Sequence, residues 1–154
     1  MTEEYTALVR QLETLIQDVP FQISNLSNAA AFLWQALPQI NWVGFYRLMG
    51  EKLVLYPFQG KPACIEIPVG KGVCGTAVRE GKCMRVDNVH QFPGHIACDG
   101  ASNSELVIPL MDGNTIWGVL DIDSPVYSRF SDGDEEGLKQ IALVLSRMIT
   151  ETNK

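Results

Sequence analysis

Four cysteines and a group of acids near the C-terminal half are the residues of this chain best equipped for chemistry. Cys98 lies in Pro93-Gly94-His95-Ile96-Ala97-Cys98-Asp99-Gly100, a polar, glycine-flanked stretch that reads as an accessible loop. Access matters because the thiolate is the reactive form of cysteine. Cys64 follows Gly60-Lys61-Pro62 in a second loop. Cys74 is expected to open a short helix, where backbone N–H groups favour an anion such as a thiolate. Cys83 precedes a short strand in no special setting and reads as an inert small hydrophobe. For the other three, the same inert reading competes with redox chemistry.

Glu105, Asp121 and Asp123 fall in two runs of alternating character. Strand side chains change face at every residue. If Leu106, Ile108, Leu110, Leu120 and Ile122 face a core, the three acids share the opposite face. A three-residue loop at Asp112-Gly113-Asn114 would set Glu105 directly opposite Asp121. Two readings compete for these acids. One is a solvated sheet face; the other is a ligand site in which crowding raises a carboxyl pKa and leaves a proton to donate. Trp42, Gly44 and Tyr46 share one face of an earlier strand. They read either as plain core or as the aromatic wall of a small pocket.

Other chemistries fit less well. No Cys-x-x-Cys pair occurs, His90 and His95 are single, and the spacing matches no standard structural zinc site, so no metal is expected. A Cys–His hydrolase would need His90 or His95 as base, but sequence neighbours are rarely catalytic pairs. Gly70-Lys71-Gly72-Val73-Cys74-Gly75 matches G-x-G-x-x-G, yet the βαβ unit that a dinucleotide site needs is missing. Those glycines read as a tight turn into the short helix.

The elements that must position these groups follow from periodicity. Tyr5, Leu8, Val9, Leu12, Leu15 and Ile16 mark an amphipathic helix ended near Pro20. A second helix is expected from Ser24 or Asn25 to Pro38, and a third from Ser131, whose spacing to Asp134 is a capping-box pattern. Between them, Asn41 to Leu48 and Lys52 to Phe58 read as a hairpin. Ile65 to Ile67 and Met84 to Val86 read as short strands, and Gly75 to Arg79 as a turn or two of helix ended by Gly81. Residues 88–103 read as a long loop, and Ser104 to Met111 with Thr115 to Asp123 as a second hairpin. The expected fold is α+β: a central antiparallel β-sheet flanked by helices, the N- and C-terminal helices packed together on one face, residues 1–154 forming a single domain.

A net charge of −6 argues against a nucleic-acid partner. No run approaches the length of about 18 apolar residues that a membrane helix needs. The acidic start, Met1-Thr2-Glu3-Glu4, is unlike a signal peptide, so a cytoplasmic location is expected. Cytosolic thiols are kept reduced, which disfavours a static disulfide framework.

Five segments, read together, carry a resemblance. They are Asn41-Trp42-Val43-Gly44-Phe45-Tyr46, Gly70 to Gly75, Gly94 to Asp99, Ser102-Asn103-Ser104-Glu105, and Gly118-Val119-Leu120-Asp121-Ile122-Asp123-Ser124. In this order they resemble the free methionine-(R)-sulfoxide reductases, which are single GAF-domain enzymes. The resemblance implies a GAF-like fold and reduction of free L-methionine-(R)-sulfoxide, with thioredoxin as reductant and no bound cofactor. It implies that Cys98 attacks the sulfoxide sulfur, that Cys64 closes a disulfide with it, and that Cys74 is a third redox cysteine. Glu105, Asp121 and Asp123 match the substrate-site acids, and Trp42 and Tyr46 the aromatic wall. A homodimer is also implied. Two other functions remain in view: a GAF-type small-molecule sensor, and a thiol redox sensor that would leave the acids and aromatics unused.

Overall fold

Tyr5, Leu12 and Ile16 are buried along one stripe of α1 (Glu3–Ile16), whose first turn is capped by the Thr2 hydroxyl. In α2 (Gln22–Ala36) the buried stripe is Asn25, Leu26, Ala29, Ala30 and Leu33. This helix starts earlier than Ser24 or Asn25, with Phe21 as an N-cap that makes no side-chain bond. Asn25 does not cap. Its Nδ2 donates back to the Val19 carbonyl at 2.9 Å, which satisfies the amide inside the first turn. The computed structural model describes residues 1–95 and 100–153.

Six strands form one sheet: β1 (Trp42–Met49), β2 (Lys52–Gly60), β3 (Glu66–Pro68), β4 (Met84–Val86), β5 (Ser104–Asp112) and β6 (Thr115–Ser124). Their spatial order is β3-β2-β1-β6-β5-β4, and every neighbouring pair is antiparallel. α3 (Gly72–Glu80) lies between β3 and β4, and α4 (Asp132–Thr152) follows β6. The segment 88–103, read as loop, contains a one-turn 3-10 helix at Val89–Gln91, capped by the Asn88 side chain.

The sheet is covered on both faces. Leu12, Leu26, Leu33, Leu138, Ile141 and Leu145 of α1, α2 and α4 pack on Val43, Phe45, Leu106, Leu120 and Ile122. Against the other face lies a second cluster, in which Val73, Cys74, Ala77 and Val78 of α3 meet Trp42, Tyr46, Val107 and Val119. The terminal helices are joined by more than apolar contact. Ser131 and Asp134 form the expected capping box, and Asp134 also accepts from the Tyr5 hydroxyl at 2.6 Å and from Arg129 at 3.0 Å.

The second hairpin differs from expectation in an informative way. Its loop is two residues, Gly113-Asn114, closed by the pair Asp112↔Thr115. A register shift follows between Leu110 and Met111, leaving Trp117 as an extra residue on β6. Glu105 therefore faces Asp123, and Asp121 faces Val107, instead of Glu105 facing Asp121. The net displacement from the expected register is two residues, so every side chain keeps its expected face beyond the bulge. Trp117 does not. It joins the core under the helices, edge-on to Tyr56 at 5.6 Å.

Candidate active site

The pairing of β1 with β6 places Trp42 beside Asp123 and Gly44 beside Asp121. The aromatic face of β1 and the acidic face of β5 and β6 are thus one surface, and α3 closes over it. Trp42, Tyr46, Cys74, Glu105, Asp121 and Asp123 line a single cavity of ≈ 50 Å³.

Burial decides between the two readings of the acids. Glu105 is only 8% and Asp121 only 5% exposed, which no solvated sheet face would show. Loss of hydration raises the Glu105 pKa well above its ordinary value, and the neighbouring Asp121 and Asp123 raise it further. Burial also raises Asp121, while hydrogen bonds to Glu105, Cys74 and Asp123 offset part of that rise. Of the two, Glu105 is the acid whose protonated form is favoured by burial and by both neighbouring carboxylates.

Cys74 joins this cluster from α3. It sits in the first turn, but helix polarity does not make it a thiolate. Complete burial, and then the charges of Asp121, Glu105 and Asp123, raise its pKa well above the ordinary thiol value. The expectation of a thiolate stabilised by the helix end is overturned because desolvation and three carboxylates outweigh partial charges on N–H groups. α3 starts at Gly72, three residues earlier than expected, and Gly70 and Gly72 have φ of +86° and +62° at its entry. Within this turn the Gly70 N–H donates to the Gly75 carbonyl at 2.8 Å and the Lys71 N–H to Pro68 at 3.1 Å. These donors are engaged internally, as a tight turn requires, and the all-antiparallel sheet contains no dinucleotide-binding crossover.

The aromatics do two jobs. Trp42 stacks on Phe58 with ring centroids 5.2 Å apart and on Tyr46 at 5.9 Å, forming the cavity wall. Their polar ends hold the loop that carries Cys64. Trp42 Nε1 donates to the Lys61 carbonyl at 3.1 Å, and the Tyr46 hydroxyl donates to the Cys64 carbonyl at 2.9 Å. Cys64 is half-buried against the same apolar cluster.

Cys98 lies outside the described residues. On either side of that gap, His95 and Ser102 both line the cavity. The Gly72 N–H donates to the Gly94 carbonyl at 3.1 Å, which ties the entry of α3 to this segment. Asn103 anchors its other end: its N–H donates to Ser124, its Nδ2 to Pro125, and its Oδ1 pairs with His90 Nε2 at 2.8 Å. Cys83 lies against the helical layer instead. Its Sγ is 3.7 Å from Glu135 Oε1, and burial pushes its pKa up to about 11, as suits an inert thiol.

Sequence reasoning gave no place in the site to Lys71 or Ser102, which line the cavity, and treated His95 only as a possible hydrolase base. Desolvation first, then the neighbouring His90, lowers the His95 pKa, which favours its neutral imidazole. The signal for these residues was their position inside the motif segments, not their chemistry. The search for zinc spacing also could not see that Cys74, Glu105 and Asp121 bring donor atoms within 4.8 Å of one another.

The GAF domain model matches residues 8–149. The free methionine-R-sulfoxide reductase of Escherichia coli strain K12 is 51% identical over 152 residues, covering 99% of this chain and 92% of that protein. The structure of the reduced form of fRMsr of Staphylococcus aureus is 52% identical and superposes with a TM-score of 0.92 over 94% of each chain. Free methionine-R-sulfoxide reductase from Neisseria meningitidis in complex with its substrate is 38% identical, with a TM-score of 0.93 over 97% of this chain and 90% of that one. Likeness of this degree over nearly the full length of both partners shows that the chain belongs to the GAF family and, within it, to the free methionine-R-sulfoxide reductases, a family of oxidoreductases.

Proposed function

We propose that this chain reduces free L-methionine-(R)-sulfoxide to L-methionine. The observation that carries the proposal is the meeting of Glu105, Asp121 and Asp123 in one cavity walled by Trp42 and Tyr46, where burial raises the Glu105 pKa and favours its neutral carboxyl. A sulfoxide oxygen becomes more basic as its sulfur is attacked, and a positioned neutral carboxyl can then supply a proton. The remaining negative charge suits the ammonium group of a free amino acid.

In the proposed sequence the Cys98 thiolate attacks the sulfoxide sulfur. Glu105 protonates the sulfoxide oxygen as the sulfur–sulfur bond forms; the S–O bond of the substrate and that new bond then break as the hydroxyl passes to the Cys98 sulfur, leaving Cys98 sulfenic acid and methionine. The Cys64 thiol then displaces water to form a Cys64–Cys98 disulfide, the reversible rung of cysteine oxidation. Thioredoxin, an external dithiol, reduces that disulfide by exchange, and Cys74 serves as an auxiliary thiol. The bonds that Tyr46 and Trp42 make to residues 61–64 support this assignment, since they hold the Cys64 segment at the cavity. A cytoplasmic setting, where thioredoxin is available, belongs to the same proposal. So does a homodimer, for which exposed Leu15 and Leu143 on the helical layer offer apolar surface.

The test is incubation of the protein with both epimers of free methionine sulfoxide and dithiothreitol, followed by chiral chromatography. The R epimer should disappear while the S epimer and peptide-bound sulfoxide persist. Equal loss of both epimers, or preference for a peptide, would overturn the proposal.

A further inference from the structure

Cys74, Glu105 and Asp121 come from α3, β5 and β6 and are distant in the chain, yet all three are buried and face one another. One donor atom from each lies within 4.8 Å of the others. A second observation points to a ligand. Among the described residues, Asp121 Oδ1 is fully enclosed and without a hydrogen-bond partner, in a residue that lines the cavity and is 5% exposed. Buried carboxylate oxygens are normally satisfied, because desolvation without a partner is costly. Among the described residues, no ion pair joins a lysine or arginine to Glu105 or Asp121.

The donor set selects the class of ligand. One sulfur and two carboxylate oxygens suit a borderline-soft divalent cation such as zinc. Magnesium and calcium are hard cations that take oxygen donors, and the Cys74 sulfur does not suit them. With metal–sulfur and metal–oxygen bonds of about 2.3 and 2.1 Å, a tetrahedral ion needs donors roughly 3.5 Å apart, which small side-chain rotations supply. All three donors line the substrate cavity, whose Trp42–Tyr46 wall is aromatic.

We propose that the reduced enzyme binds one zinc-class divalent cation through Cys74, Glu105 and Asp121, and that this cation occupies the substrate cavity and holds the enzyme inactive. The inhibitory half rests on the reductase reading; the binding half does not. Binding involves no redox change. The thiol proton of Cys74 and the carboxyl proton of Glu105 pass to solvent as the metal bonds form. Oxidation of Cys74 would remove the sulfur ligand, so the metal should be held only while that thiol is reduced.

The experiment uses the full chain, reduced and then freed of reductant under argon. Zinc retention is measured by equilibrium dialysis with metal analysis, and cobalt(II) serves as a spectroscopic probe for a thiolate-to-metal charge-transfer band. One zinc per chain is expected, with magnesium not retained. The cobalt band should persist in Cys98→Ser and Cys64→Ser and vanish in Cys74→Ser. Glu105→Gln and Asp121→Asn, checked for folding by circular dichroism, should each weaken zinc retention by at least about tenfold, as loss of one ligand in three implies. A band that survives in Cys74→Ser, a band that needs Cys98 or Cys64, or retention indifferent to both acid variants would overturn the site. Zinc retention by an enzyme that fails to reduce the sulfoxide when metal-free would support the site and defeat only the reductase reading. Normal sulfoxide reduction with one equivalent of zinc bound would overturn the inhibition.

Discussion

Glu105 and Asp121 are buried together, and burial with the neighbouring carboxylates raises the Glu105 pKa above that of an exposed glutamate. Glu105→Gln keeps the shape and loses the transferable proton; Asp121→Asn loses the charge that helps hold it. Each should lower kcat by more than about tenfold with the fold intact, since a positioned general acid contributes ~10²–10⁴-fold. The pH dependence has a definite sign. The folded-state pKa of Glu105 lies above its ordinary 4.5, and burial moves Asp121 and Cys74 upward as well. Folding therefore favours the protonated forms, and stability falls as pH rises from that ordinary value through the raised ones. Melting temperature measured against pH should decline on the alkaline side, and less steeply in Glu105→Gln. The cysteines are separated by single-turnover methionine yield from prereduced enzyme without added reductant. Cys98→Ser should give none. Cys64→Ser should give one methionine per chain and stall at the sulfenic acid. Cys83→Ser, altered far from the cavity, should behave as wild type.

The β1–β2 hairpin shows how an element sets the site. Gly44 pairs with Phe58, and a Cβ at position 44 would run into Phe58 Cβ and come within 2.8 Å of the Trp42 ring. The glycine thus leaves room for the Trp42–Phe58 stack that forms the cavity wall. Gly44→Ala should force those rings apart, at a cost of about 1–3 kcal/mol typical of overpacking. Thermal melting should register the loss, and KM should rise because the displaced wall also carries the bonds to Lys61 and Cys64. An unchanged KM would mean that the wall has no part in binding. In the β5–β6 hairpin the device is the bulge at Trp117, which lets a tight two-residue turn coexist with acids on the cavity face.

At the scale of the whole molecule, the sheet separates two clusters with different tasks. The one beneath α1, α2 and α4 is larger and almost wholly apolar, and it supplies most of the buried area that holds the chain folded. The other admits Cys74 and borders the acids, and its stability is compromised by their burial. Leu145→Ala, at a fully buried position on the inner face of α4, should reduce unfolding free energy by about 2–5 kcal/mol. Well below the new melting point, kcat and KM of the surviving folded enzyme should match wild type, because the sheet lies between this residue and the cavity. A drop in kcat without a drop in stability would show that the two faces are coupled.

Periodicity by itself determined that the helices and the two long hairpins exist, and the face on which Glu105, Asp121, Asp123, Trp42 and Tyr46 would lie, though not that of Trp117. Those patterns are local, since a strand alternates and a helix recurs wherever its neighbours are. The start of α2 escaped because Asn25 was satisfied by the Val19 carbonyl, outside the helix, and the cross-strand partner of Glu105 escaped because a bulge is not written in alternation. Only the tertiary structure decided that Glu105 and Asp121 are buried, that Cys74 faces them as a raised-pKa thiol, and that the three share one small space. Burial and pKa arise from what packs over a residue, and here the covering element, α3, ends at Glu80, well before β5 and β6, which carry the acids. Residue types along the chain name the groups that can react; the low dielectric that fixes where their protons reside exists only once the helix closes on the sheet.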